Sequence, residues 1–144
     1  MGIFTKIINY NYNICEEDAE LEVELQIISS RYHFSPKIIE TYFGEEHCNI
    51  TMENLETLNL ADKYGENPED IPLDIWTQIR YILTVLYEEE GIEYIDITPY
   101  NFIEKDGKVF IIDFGHAYYT DFNINGFLNE VMYHCLNEWN ADFK

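Results

Sequence analysis

Three side chains in the second half of the chain have the types and spacing that phosphoryl chemistry needs: Asp96, Asn101 five positions later, and Asp113 after a short intervening hairpin. A carboxylate and an amide oxygen can hold a hard divalent cation on nucleotide phosphates, and a further carboxylate beside them can take a proton from an attacking hydroxyl. Asp96 lies in Tyr94-Ile95-Asp96-Ile97-Thr98-Pro99-Tyr100-Asn101 and Asp113 opens Asp113-Phe114-Gly115. His47-Cys48 and His134-Cys135 are adjacent pairs whose spacing fits no zinc pattern, and they read as structural.

The elements that must position these groups follow from periodicity. Pro72 stands at a first helical turn, and Ile75, Trp76, Ile79, Ile82, Leu83, Leu86 and Tyr87 recur at three-and-four spacing until Gly91, which predicts a helix directly before the Asp96 loop. Phe102–Glu104 and Lys108–Ile112 flank Asp106-Gly107, a dipeptide that supplies the positive φ angles of a tight hairpin. Upstream, residues 3–10 predict a strand with Phe4, Lys6 and Ile8 on one face. Asn13 to Arg31 mixes strand-like alternation with a helical stripe, and its helix formers and an Asn13/Glu16 capping box favour a helix. Lys37–Phe43 and His47–Met52 predict a second hairpin about Gly44-Glu45-Glu46. Asn59 to Asp70 is a polar stretch, and Gly126 to Trp139 predicts a final helix.

Composition bounds the function. The 144 residues form one domain's worth of chain, with 47% apolar and 16% aromatic residues, enough for a single core. Eight basic against 28 acidic residues give a formal charge of -20, which disfavours nucleic acid as a partner. No apolar run spans a bilayer and no secretory leader is recognisable, so no membrane is expected. Cys15, Cys48 and Cys135 are odd in number and far apart, consistent with reduced thiols in the cytoplasm. The 20 Ile and 13 Asn are a bias typical of AT-rich genomes, many viral ones included, and a viral chain would work in the host cytoplasm.

Taken together, the Asp96 loop, the hairpin and Asp113-Phe114-Gly115 resemble the catalytic loop and the magnesium-binding motif of the protein kinase-like superfamily. The resemblance implies an α+β, two-lobed fold. Residues 1–52 would form a reduced N-terminal lobe, 53–55 a hinge and 56–144 a compact, mostly helical C-terminal lobe, all one cooperative domain. It extends to Met52-Glu53-Asn54-Leu55, similar to the hinge that meets the adenine, so that Glu53 and Leu55 become nucleotide-binding. Lys6 resembles the phosphate-contacting lysine and Glu24, 18 residues on, its helical glutamate partner. Asp121 and Gly126 have the spacing of a helix start whose aspartate supports the catalytic loop.

The departures are specific. Five residues precede Lys6, so the two strands and Gly-rich loop that cover the phosphates in the family have no counterpart before it. Tyr94-Ile95 replaces the family's His-Arg, Thr98 stands where a lysine is usual, and five residues separate Gly115 from Asp121, leaving no activation segment. Two functions follow as expectations. One is a minimal phosphotransferase using ATP and Mg2+, with Asp96 as base, Asn101 and Asp113 on the metal, and Lys6 paired with Glu24 on the phosphates. The other is a catalytically inactive kinase mimic that binds a partner kinase or another protein. An N-terminal strand with an unpaired edge would also invite a homodimer.

Overall fold

The structure, a computed structural model, describes residues 2–143. Strand β1 (Ile3–Asn9) is followed by α1 (Glu16–Arg31) and the hairpin β2 (Ile38–Phe43) and β3 (His47–Glu53). The expected helix from Asn13 begins three residues later. Asn11 Oδ1 accepts the Asn13 and Ile14 amides at 2.7 and 3.0 Å, tying this segment into a turn. The cap is then Cys15, whose amide donates to Asp18 Oδ2 at 2.9 Å. The β2–β3 hairpin closes at Gly44, whose amide donates to the His47 carbonyl at 2.8 Å.

The three strands form one antiparallel sheet in the order β1-β3-β2, with Lys6 opposite Ile50 and Ile8 opposite Cys48. Alternation sets its faces: Cys48, Ile50 and Met52 of β3 turn inward with Ile8 and pack on Ala19 and Val23 of α1. Ala19, Glu22, Val23 and Gln26, spaced 0, 3, 4 and 7, are the buried stripe on that side of the helix. Leu25 belongs to the larger core of the rest of the chain, so α1 is shared between the two hydrophobic clusters.

That larger core is organised by α3 (Leu73–Glu90), which buries Ile75, Trp76, Ile79, Ile82, Leu83 and Leu86, as its periodicity predicts. Pro72 caps its start, and Gly91 ends it in the left-handed conformation, φ 67°, with its amide on the Tyr87 carbonyl. Strands β5 (Phe102–Lys105) and β6 (Lys108–Ile111) pair through Asp106 and Gly107, both at positive φ. The polar stretch is more ordered than its composition suggests. Asn59 accepts the Asp62 amide and starts a short helix, α2 (Leu60–Tyr64), and a 3-10 turn spans Pro68–Asp70. A two-residue pair, β4 (Ile92–Glu93) with β7 (Tyr118–Tyr119), has no periodicity to announce it.

The last helix, α4 (Gly126–Tyr133), is shorter than expected. Cys135 takes positive φ and breaks it, and the chain turns back to seat Trp139 against Trp76, ring centroids 4.5 Å apart. Trp139 therefore fills the core from an irregular segment and not from a helical face. Arg80 of α3 fastens that segment, donating to the Val131 carbonyl at 2.8 Å and to Asn137 Oδ1 at 2.5 Å. Among the described residues, no helix is long and apolar enough to cross a membrane.

Candidate functional site

The 94–101 loop is held from both ends by buried polar contacts. Tyr94, fully buried, donates its hydroxyl to the Ile112 carbonyl, and the Ile112 amide donates to the Asn101 carbonyl at 2.9 Å. The five-residue spacing of Asp96 and Asn101 is closed by one bond, Asn101 Nδ2 to the Asp96 carbonyl at 2.9 Å. Asn101 is buried, and with its Nδ2 so committed, Oδ1 is the atom left to face a ligand. Asp96 is also buried, with Oδ2 3.0 Å from His116 Nδ1.

Asp113 follows β6 at φ 62°, a left-handed conformation that aspartate tolerates better than most residues. Its Oδ1 accepts the Gly115 amide at 3.1 Å and the Lys6 ammonium at 3.2 Å. Gly115 suits this crowding: a Cβ there would lie 3.1 Å from both Asp113 Oδ1 and Glu22 Oε1, so those side chains would have to shift by a few tenths of an ångström. Lys6 leaves β1 on its inner face and also bonds Glu22 Oε2, so one ammonium joins the sheet, α1 and the turn after β6.

The partner of Lys6 is therefore Glu22, and the expected pairing with Glu24 is corrected. Two residues along a helix is a rotation of about 200°, and Glu24 emerges on the far side, where it accepts the Tyr119 hydroxyl at 2.5 Å. Burial pulls the Lys6 ammonium toward neutrality, but Glu22 and Asp113 outweigh it and raise its pKa above the ordinary lysine value. Burial acts on Glu22 in the opposite sense, pushing its carboxyl upward despite Lys6, with Asp113 adding to the rise. Lys6 keeps its charge, since two carboxylates face one ammonium that is itself 28% exposed.

Two cavities meet at Lys6 and Asp113. One, of about 460 Å³, is lined by Phe4, Met52, Leu55, Ile103 and Ile112 together with Glu53, Asn101 and Asp113. The predicted pair Glu53 and Leu55 thus borders the same space as Asn101 and Asp113. The other, of about 840 Å³, opens between β1, the first turns of α1 and residues 113–118, with His116 in its wall. Asp121 does not reach the 94–101 loop: its Oδ1 accepts the Asn123 amide at 2.9 Å within its own turn. The loop is supported by Asn140, which donates Nδ2 to the Ile95 carbonyl at 2.9 Å and its amide to the Ile97 carbonyl at 2.8 Å. Glu93, buried at the foot of the loop, accepts from Thr120, Tyr118 and the Asn125 amide.

Glu22, His116, Asn140 and Glu93 are the contributors that sequence reasoning missed. Glu22 was recoverable from the buried stripe it shares with Ala19, Val23 and Gln26; the other three carry no local signal. Among the described residues, no three His, Cys, Asp or Glu side chains cluster as a self-sufficient metal site. Asn101 Oδ1 and the Asp113 carboxylate, which border the same cavity, are oxygen donors of the type a hard cation takes. No family model matches the chain, and no curated protein matches it.

Proposed function

We propose that the chain is a minimal phosphotransferase of protein kinase-like fold that moves the terminal phosphoryl group of Mg·ATP to a hydroxyl. The observation that carries this reading is the contact of Lys6 with Asp113, 107 residues apart, on the lining of a cavity that also holds Asn101. A cation-binding carboxylate, an amide oxygen and a phosphate-seeking ammonium converge there. Met52, Leu55, Ile103 and Ile112, which line the same cavity, give it an apolar slot of the kind that takes a base.

Each residue then has a task. Magnesium, when bound, neutralises the phosphate oxygens and draws charge from the bond to be broken. Asn101 and Asp113 would hold it. Lys6, kept charged between Glu22 and Asp113, turns to the phosphates, and Glu22 holds its position. Asp96, expected as the base, has its Oδ2 3.0 Å from His116 Nδ1. Catalysis of this kind rests on placement and charge. The net charge of -20 repels the free nucleotide, so affinity depends on magnesium and on ionic strength. Transfer from γ-labelled ATP by wild type, lost in Lys6→Ala and Asp113→Asn, supports the reading, and transfer unchanged in both variants overturns it.

A second reading, a non-catalytic kinase mimic that binds a partner kinase or a second copy of itself, is favoured by β1. The Gly2 carbonyl and the Tyr10 amide both bond toward β3, so the even-numbered residues pair inward, and Ile3, Thr5, Ile7 and Asn9 direct their backbone groups to the sheet edge. Ile3 and Ile7 are also more than half exposed. No bulge, proline or outward charge interrupts that edge.

A further inference from the structure

The Asp96–His116 contact has the form of an oriented imidazole, not of a free carboxylate base. Asp96 is 8% exposed, and its Oδ2 is 3.0 Å from His116 Nδ1, whereas the His116 side chain is 60% exposed. A buried carboxylate that accepts from Nδ1–H fixes the tautomer and leaves the Nε2 lone pair as the reactive end. His116 lines the larger cavity, on the far side of Lys6 and Asp113 from the apolar slot. The Phe143 ring flanks it at 5.0 Å between centroids.

Resting on the phosphotransfer reading, we infer that His116 Nε2 takes the proton of the acceptor alcohol, that Asp96 is its orienting carboxylate, and that the larger cavity is the acceptor's site. In the transfer step the acceptor O–H bond breaks and its proton moves to Nε2. The freed oxygen pair bonds to the γ-phosphorus. The bond from that phosphorus to the β,γ-bridging oxygen breaks, its electrons leaving with the nucleoside diphosphate. The imidazolium then returns its proton to water, which reaches the ring directly. Asp96 accepts the Nδ1–H hydrogen bond throughout and keeps the imidazole in register.

Two measurements on the full chain test this. Long-range 1H–15N correlation of the imidazoles, with His116→Gln assigning the resonance, is expected to show the neutral His116 ring protonated on Nδ1 in wild type and to lose that preference in Asp96→Asn. A ring protonated on Nε2 in wild type overturns the inference without touching the phosphotransfer reading. The second measures phosphate release from Mg·ATP with water as the acceptor. His116→Ala is expected to fall about a hundredfold, at the low end of what a positioned proton acceptor supplies, and to regain rate when imidazole is added. Release unchanged in His116→Ala but abolished in Asp113→Asn overturns the His116 role alone. No release from wild type overturns the phosphotransfer reading, and the role of His116 with it.

Discussion

Lys6 and Glu22 face each other across the sheet–helix contact, and Glu22 lies on the buried stripe of α1 while Glu24 lies on its outer side. The two glutamates should therefore respond differently to substitution. Glu22→Ala leaves the ammonium without its nearest carboxylate and is expected to weaken Mg·ATP binding by about 2 kcal/mol, the size of a charge-assisted hydrogen bond. Glu24→Ala should leave binding unchanged. Titration calorimetry on both variants checks the pairing, and equal losses would contradict it.

Glu24 has its own partner. Burial, and then the hydrogen bond to Glu24, push the Tyr119 phenol up to about 12. A raised folded-state pKa means that the contact stabilises fully below the ordinary tyrosine value of about 10 and is lost as pH climbs through about 12. Glu24→Gln should move the Tyr119 transition down toward the ordinary value, read as the ζ-carbon shift in an NMR titration. A transition that does not move would break the Glu24–Tyr119 assignment.

Support of the 94–101 loop separates Asn140 from Asp121 in the same way. Asn140 is buried, and Asn140→Ala removes one of the two donors to the Ile95 carbonyl, leaving it the Ile97 amide at 2.8 Å. An expected loss of about 0.5–1.5 kcal/mol, the net value of one hydrogen bond, corresponds to a melting temperature lower by roughly 2–5 °C. Asp121→Ala removes only an exposed turn contact and should stay within about 0.5 kcal/mol. Thermal unfolding followed by circular dichroism decides, and the reverse order of effects would restore Asp121 to the loop.

Much of the scaffold is legible in the sequence because single local signals govern it. The three-and-four stripe of α3, Asp106-Gly107 and the alternation of β3 each specify their element without outside help. Asn101 and Asp113 border one cavity because they sit on adjoining pieces of that scaffold, whereas the Asp96 carboxylate turns to His116. What was not legible depends on tertiary packing. Cys135 at positive φ stops α4 and sends Trp139 into the core by a route no helical periodicity describes. The choice between Glu22 and Glu24 needs the face of α1 that meets the sheet, and chain spacing alone selects the wrong one. His116 follows Gly115 by one residue yet gives no sign of Asp96, because their contact joins positions 20 apart through a turn.

The edge of β1 leads to a prediction about assembly. With Ile3, Thr5, Ile7 and Asn9 offering backbone groups outward, wild type is expected to self-associate with rising concentration in sedimentation equilibrium. Ile7→Lys, which sets a charge beside that edge, should shift the equilibrium to monomer. Strictly monomeric wild type at high concentration would remove the edge as a site of self-pairing.

The most direct measurement is calorimetric titration of the chain with ATP, with and without magnesium, beside Asp113→Asn. Binding that requires magnesium and disappears in the variant is the expected result, since the metal would be held by Asp113 and Asn101 in the cavity that Lys6 also lines. No binding at millimolar nucleotide, or binding indifferent to both magnesium and Asp113, would contradict a nucleotide site there.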